Sequence, residues 1–125
     1  MQYMLMFYND PAHLSPPQDE AKRQAWFGSW MAYIGALNQS GIAVNGHGLQ
    51  PPHTATTVRL RGDQRQVQDG PFADTKEMLG GYYVIDVPDL DEALAWAARC
   101  PAALTGSVEV RPVMSPPPQA SAPRA

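Results

Sequence analysis

The sequence has a single cysteine, three histidines and no long apolar run, and each scarcity excludes a class of protein. One cysteine, Cys100, allows neither an internal disulfide framework nor a zinc site built from cysteines. The histidines His13, His47 and His53 do not follow a metal-ligand spacing, so no metal site is predicted. The apolar stretches are too short for a membrane-spanning helix, and no membrane association is expected.

Positive charge is also scarce, with 9 basic residues against 12 acidic ones and a net charge of −3. The densest basic group, Arg59, Arg61 and Arg65, alternates with other residues, so no nucleic-acid partner is expected. The segment 1–8 lacks the basic region and cleavage site of a signal peptide, which predicts a cytoplasmic location. Neither a GxGxxG motif nor a P-loop lysine motif is present, and no cofactor is expected.

The chain length of 125 residues fits one domain, and proline marks where that domain should end. Four of the 13 prolines lie in the last ten residues. The stretch 115–125 has no large apolar side chain that offsets the entropy of ordering. We therefore expect a folded domain over residues 1–113 and a proline-rich, disordered tail over residues 114–125.

Hydrophobic periodicity and turn signals predict two helices and six strands. The predicted strands span 2–8, 42–49, 82–87 and 107–111, the helices span 15–40 and 89–100, and a hairpin pairs 56–61 with 65–69 across Gly62-Asp63. Ser15 and Gln18 suit a capping box for the first helix, Gly41 suits its end, and Asp89 suits the start of the second. Because βαβ crossovers are right-handed, both helices should cover one sheet face. The predicted fold is α+β, a ferredoxin-like arrangement with an extra β-hairpin.

The two central strands are apolar on both faces, but two helices cover only one face. The other face would expose Tyr82, Val84 and half of the first strand. A patch of that size needs a cover. A second copy of the chain, with the two sheets packed face to face, is the simplest cover, so we predict a homodimer. The alternative is that the hairpin or the C-terminal tail folds over the sheet.

The segment Asp69–Glu77, DGPFADTKE, followed by LGGYYVI at 79–85, closely resembles the signature of the YCII-related family, DGPF branch. Leu49-Gln50-Pro51-Pro52, the segment 89–101 and the last strand agree with the same resemblance, which covers about residues 1–113. The resemblance implies a ferredoxin-like fold and a dimeric α/β barrel. It implies little about activity, since the branch is largely uncharacterised and is often encoded beside extracytoplasmic-function sigma factors.

Better-understood relatives resemble muconolactone isomerases and use a histidine on the first helix with an aspartate in an Asp-Pro step. In this sequence those positions fall at about Trp30 and at Cys100. A tryptophan and an unassisted cysteine do not reproduce a histidine whose tautomer is held by a carboxylate. The relatives' dyad therefore does not transfer.

Eight residues are candidates for a functional site. The candidate catalytic residues are His47 and Asp69, and the candidate ligand-binding residues are Trp30, Phe72, Thr75, Lys76, Glu77 and Tyr82. His47 acts in proton transfer if it faces the cleft, and is otherwise an ordinary surface histidine. Asp69 is either a general base at the cleft mouth or an acceptor for backbone amides in the following turn.

The motif loop has a similar pair of interpretations. Lys76 either holds an anionic ligand or pairs with Asp74 or Glu77 on a solvated loop.

Trp30 is either a core residue or a pocket wall. Cys100 at a helix C-terminus should have a raised pKa and be inert.

These residues suggest three hypotheses. The first is a homodimeric enzyme that binds a small polar metabolite and catalyses isomerase- or lyase-like proton transfer. The second is a non-catalytic ligand sensor linked to a sigma-factor system, and the third is a purely structural dimer.

Overall fold

The computed structural model describes residues 1–73 and 75–115. The strands are β1 Gln2–Asn9, β2 Ala43–Gly48, β3 Thr56–Arg61, β4 Gln64–Asp69, β5 Met78–Asp86 and β6 Ser107–Pro112. The helices are α1 Glu20–Ser40, α2 Leu90–Ala98 and α3 Ala102–Thr105. Short 3₁₀ turns occur at Pro11–His13 and Pro52–Thr54.

Four strands form one antiparallel sheet in the order β2-β5-β1-β6, and the hairpin β3-β4 forms a separate sheet. β5 thus lies between β1 and β2, as in a ferredoxin-like fold. The α+β class predicted from the sequence is confirmed, and the element order agrees with the ferredoxin-like prediction.

The core lies between the helices and one face of the main sheet. Tyr3, Leu5 and Phe7 of β1 point to this face and pack with Tyr33 and Leu37 of α1. Ala93 and Ala97 join the same cluster from α2, so both helices cover the same side. The Tyr33 hydroxyl donates to the backbone oxygen of Trp96 at 2.9 Å and ties α1 to α2.

No helix among residues 1–73 and 75–115 packs on the opposite face of the sheet. Met4, Met6 and Tyr8 alternate with the core residues of β1 and are half-buried, as is Tyr82 opposite Met6. Val84, opposite Met4, is only 7% exposed, so the prediction that it stands exposed is wrong. Register places Met4 and Asn45 on either side of it.

The first helix begins later than predicted. Asp19 is its N-cap, with a carboxylate that accepts from the backbone N–H of Lys22 at 3.0 Å. The expected capping box at Ser15 and Gln18 therefore does not form. The predicted end is confirmed, since Gly41 takes the left-handed conformation with φ 79°.

The hairpin forms as predicted across Gly62-Asp63, with Gly62 at φ 62°. Its side chains are more exposed than predicted, because the hairpin pairs with no strand of the main sheet. The large apolar residues Val58, Leu60 and Val67 are each more than half exposed. Gly70 anchors the base of the hairpin, where its N–H donates to the Ala55 oxygen at 2.7 Å.

Val113 is the last residue with a backbone hydrogen bond to the sheet, donating to the Gln2 oxygen at 2.9 Å. Most of the predicted tail, residues 116–125, lies outside the described residues. Among the residues that the structure describes, no helix is long and apolar enough to cross a membrane.

Candidate functional site

A cavity of about 620 Å³ lies between the N-terminal half of α1 and the sheet. Trp26 and Trp30 of α1 form its aromatic wall, with ring centroids 6.5 Å apart. Trp30 also packs on Phe7 of β1, at a centroid distance of 5.3 Å. The space therefore has aromatic rings on the helix side and on the sheet side, with Trp30 tilted by 57–58° against Trp26 and Phe7.

Glycines on the sheet make room for this cavity. Three glycines line the cavity, Gly46 and Gly48 of β2 and Gly81 of β5. They lie on the core-facing side of the sheet, where Gly46 pairs with Tyr83 and Gly48 pairs with Gly81. A Cβ at Gly48 would meet no atom within 4 Å, so the missing side chain leaves open space. A Cβ at Gly46 would overlap the ring of Tyr83, which lies directly over it.

Polar side chains also line this cavity, among them Asn9 and Thr105. Asn9, at the end of β1, is 6% exposed, and its Nδ2 donates to Thr105 Oγ1 at 2.7 Å. Its Oδ1 accepts from the backbone N–H of Asp10 at 3.2 Å. Both ends of the amide are therefore used within the protein, which favours a structural role for Asn9.

Another polar residue of the cavity lining, His13, is in contact with the Asp10 carboxylate. His13 lines the cavity, and its Nδ1 lies 2.8 Å from Asp10 Oδ1. The same oxygen accepts from the backbone N–H of His13 at 3.1 Å. The hydrogen bond from the His13 side chain is the main reason that the pKa of Asp10 lies below its ordinary value.

Of the eight candidate residues, only Trp30, His47 and Tyr82 line this cavity. Strand register places the His47 side chain on the helix-free face with Tyr82, whereas Trp30 lies on the helix face. The two rings of His47 and Tyr82 are 5.9 Å apart between centroids. His47 thus lines the cavity from the edge strand β2, but its side chain lies on the sheet face opposite to Trp26 and Trp30.

Three motif-loop candidates, Phe72, Thr75 and Glu77, line a second cavity of about 620 Å³ between the hairpin base and β5. Phe72 lies under the guanidinium of Arg59, 4.8 Å from its ring centroid. Thr75 donates to the backbone oxygen of Glu77 at 2.5 Å, and Glu77 Oε1 accepts from the Ser107 hydroxyl at 2.7 Å. The polar groups of this loop are thus partly satisfied by the protein itself.

Asp69 and Lys76 line neither cavity, and both are exposed. Within the described part of the chain, their side chains make no hydrogen bond or salt bridge. Asp69 therefore lines neither cavity, and within the described residues its carboxylate does not accept the expected hydrogen bonds from the backbone amides of the following turn. The candidates His47, Asp69, Lys76 and Glu77 are not gathered in one cavity.

Cys100 is 1% exposed at the end of α2. Burial raises the pKa of its thiol to about 11, in the direction expected from the sequence. The main cause is burial rather than the helix terminus on which the prediction depended. Over residues 1–73 and 75–115, no cluster of histidine, cysteine and carboxylate residues is arranged to hold a metal ion.

The sequence model of the YCII-related domain matches residues 1–116. The chain belongs to the YCII-related family. This YCII-related chain is 37% identical over 118 residues to an uncharacterized protein of Rhizobium meliloti (strain 1021), and the match covers 90% of this chain and 92% of the relative.

A solved structure similar to this YCII-related chain is the 5-chloro-2-hydroxyhydroquinone dehydrochlorinase from Burkholderia phenoliruptrix AC1100, in complex with 2,5-dihydroxybenzoquinone. The two share 17% sequence identity at a TM-score of 0.50, over 91% of this chain and 94% of the dehydrochlorinase. At this identity the likeness concerns the fold.

Sequence reasoning missed the pair formed by Asp10 and His13 in this YCII-related chain. The signal was present as Asp10-Pro11-Ala12-His13, where an aspartate before proline caps a turn and faces the residue three positions later. His13 lines the same cavity as Trp26 and Trp30, and this placement depends on how α1 packs over the sheet, for which the sequence has no local signal.

Proposed function

We propose that this YCII-related protein binds a small ring compound in the cavity beneath α1 and acts on it by isomerase- or lyase-like proton transfer. The observation that carries the proposal is the cavity itself, walled by Trp26 and Trp30 and floored by glycines. Its volume of about 620 Å³ is in the range of small-molecule sites. Flat ring ligands gain from stacking on aromatic side chains.

The proposed ligand is less polar than the small polar metabolite expected from the motif loop. Of the six α1 residues that line the cavity, five are apolar, namely Trp26, Phe27, Trp30, Met31 and Ile34, and one is Ser29. Such a wall suits an aromatic or quinonoid ring with one or two hydroxyl groups at its rim. The dehydrochlorinase of similar fold supplies a first probe of this class, 2,5-dihydroxybenzoquinone.

Ligand binding is tested by tryptophan fluorescence and calorimetry with a panel of dihydroxybenzenes and 2,5-dihydroxybenzoquinone. Trp26 and Trp30 line the cavity and should be quenched by a bound ring, whereas Trp96 does not line it. Gly48→Leu should abolish binding, because its side chain would occupy the open space above Gly48. Gly35→Leu is the matched control, since Gly35 also has open space but lies outside the cavity.

If Gly48→Leu binds the panel as tightly as the unchanged protein, the ligand lies elsewhere and the proposal is wrong. If no panel member binds to the unchanged protein, the proposed ligand class is wrong. Binding without turnover of any panel member would instead favour the ligand-sensing alternative. The absence of a single cavity that gathers His47, Asp69, Lys76 and Glu77 supports keeping that alternative.

We also propose the homodimer, with the helix-free faces of two sheets packed together as in a dimeric α/β barrel. Met4, Met6, Tyr8 and Tyr82 form a half-buried, largely apolar face that a second copy would cover. Light scattering should give twice the chain mass of 13.6 kDa.

Met6→Lys should shift the mass to that of one chain. The lysine would lie opposite Glu109 in the single chain but would lose water in the dimer. Leu94→Lys is the control, on α2 and 47% exposed. A dimer that tolerates Met6→Lys but not Leu94→Lys would contradict this interface.

Three further assignments remain proposals. The motif at 69–77 supports membership of the DGPF branch, and a cytoplasmic location is proposed beside it. The domain boundary near residue 113 is supported by the last sheet hydrogen bond, made by Val113. Limited proteolysis of the full chain should therefore stop near residue 113.

A further inference from the structure

The cavity beneath α1 is lined by His13, the last residue of the short turn Pro11–His13, and this histidine is in contact with the Asp10 carboxylate. Asp10 Oδ1 accepts from the backbone N–H of His13 and lies 2.8 Å from Nδ1 of the same residue. Pro11 at the start of the turn restricts the backbone between the two residues. The pair is therefore built into the backbone rather than formed by two free side chains.

This contact determines which nitrogen of His13 is available. With Nδ1 donating to the carboxylate, the neutral ring carries its proton there and has a lone pair on Nε2. In the described part of the chain, Nε2 has no hydrogen-bond partner. The His13 side chain is 51% exposed and lines the cavity, so a ligand can reach it.

We propose that His13 is the proton-transfer residue of this cavity and that Asp10 is its positioning residue. The inference rests on the proposed function, because it needs a ring compound bound against Trp26 and Trp30. Nε2 takes a proton from a C–H or O–H bond of the ligand, and the electron pair of that bond stays on the ligand. The imidazolium formed is stabilised by the Asp10 carboxylate and returns the proton to another ligand atom.

His47 is the other histidine of the cavity and is less suited to this task. It makes no hydrogen bond or salt bridge to a carboxylate within the described residues. Its register places the ring beside Tyr82 on the helix-free face. His53 lines neither cavity and serves as an internal reference.

The test uses 2,5-dihydroxybenzoquinone as the probe, with the full-length protein in D₂O. Exchange of the ring C–H protons of the probe for deuterium, followed by proton NMR, reports proton transfer to carbon. His13→Gln should slow the protein-catalysed exchange by roughly 10²-fold or more, the usual contribution of a general base. His53→Gln should leave the exchange rate unchanged.

The role of Asp10 is tested by nitrogen NMR of the histidine rings. The unchanged protein should show His13 with its proton on Nδ1, and the probe should shift the His13 signals but not those of His53. Asp10→Asn keeps an N-cap acceptor but removes the charge, so the turn should persist while the His13 tautomers become mixed and exchange slows.

The outcomes separate the inference from the proposed function. If the probe quenches the cavity tryptophans but His13→Gln exchanges at the unchanged rate, binding stands and the role of His13 is refuted. Loss of exchange in His47→Gln alone would assign proton transfer to His47 and overturn the inference. If the probe neither quenches tryptophan nor shifts any histidine signal, both proposals fail together for this class of ligand.

Discussion

Gly81 is expected to be among the least replaceable residues of the sheet, and alanine there should destabilise the protein. It is buried in β5, opposite Phe7 of β1 on one side and Gly48 of β2 on the other. A Cβ at this position would lie 2.9 Å from the backbone oxygen of His47 and 3.2 Å from the Cα of Gly48. Both are backbone atoms, so β2 itself must move.

Overpacking of this kind costs about 1–3 kcal/mol in free energy of unfolding. With a urea dependence of ~2 kcal/mol/M, typical of small proteins, the unfolding midpoint of Gly81→Ala should fall by roughly 0.5–1.5 M. Urea titrations followed by circular dichroism measure this midpoint. Parallel titrations at several protein concentrations separate the effect from dissociation of the proposed dimer.

Gly48→Ala is the matched control, in the strand position paired with Gly81. Its Cβ would meet no atom within 4 Å, and its φ is not positive. Alanine there should leave stability unchanged or raise it by up to ~1 kcal/mol, because the unfolded chain loses freedom. Equal midpoints for Gly81→Ala and Gly48→Ala would refute the argument that close strand approach requires glycine at position 81.

Three further outcomes are expected. Cys100, with its pKa raised to about 11 by burial, should resist a thiol reagent at pH 8 in the folded protein and react at once in urea; fast reaction without urea would contradict its burial. The folded-state pKa of Asp10 is lowered, so its stabilising contribution should be present above pH ~4 and vanish as pH falls through the folded pKa. The difference in melting temperature between the unchanged protein and Asp10→Asn should then disappear in acid, and a difference independent of pH would refute this. Leu37→Ala, which truncates a fully buried side chain, should cost ~2–5 kcal/mol in chemical denaturation, and a loss under ~1 kcal/mol would contradict its place in the core.

Local signals in the sequence predicted most of the elements. The glycine and aspartate of the hairpin turn, the aspartate before α2 and the glycine after α1 each act through atoms a few residues away. Such contacts do not depend on the rest of the fold, which explains why these predictions were confirmed. The predicted start of α1 was wrong because Ser15 and Asp19, two side chains that can accept from the first backbone N–H groups of a helix, lie close together in the sequence. Only packing of the whole helix decides between them.

The candidate site was predicted less well, for a physical reason. The cavity exists because side-chain-free positions on β2 and β5 meet beneath Trp26 and Trp30, and those strands are far apart in the chain. The motif at 69–77 drew attention to Phe72, Thr75 and Glu77, which line a different cavity near the hairpin. Strand register then separated His47 from Trp30, because a one-residue step in a strand moves a side chain to the opposite face.

The sequence by itself determined the element order, the α+β class and the resemblance to the YCII-related family, because these depend on periodicity, turn residues and a contiguous motif. Only the tertiary structure decided where an open space forms and which polar groups border it. The scarce histidines show the difference most clearly. Their spacing predicted no metal site, and the Asp10–His13 contact is local to one short turn. Only the fold placed His13 in the lining of the cavity and turned His47 toward the other face.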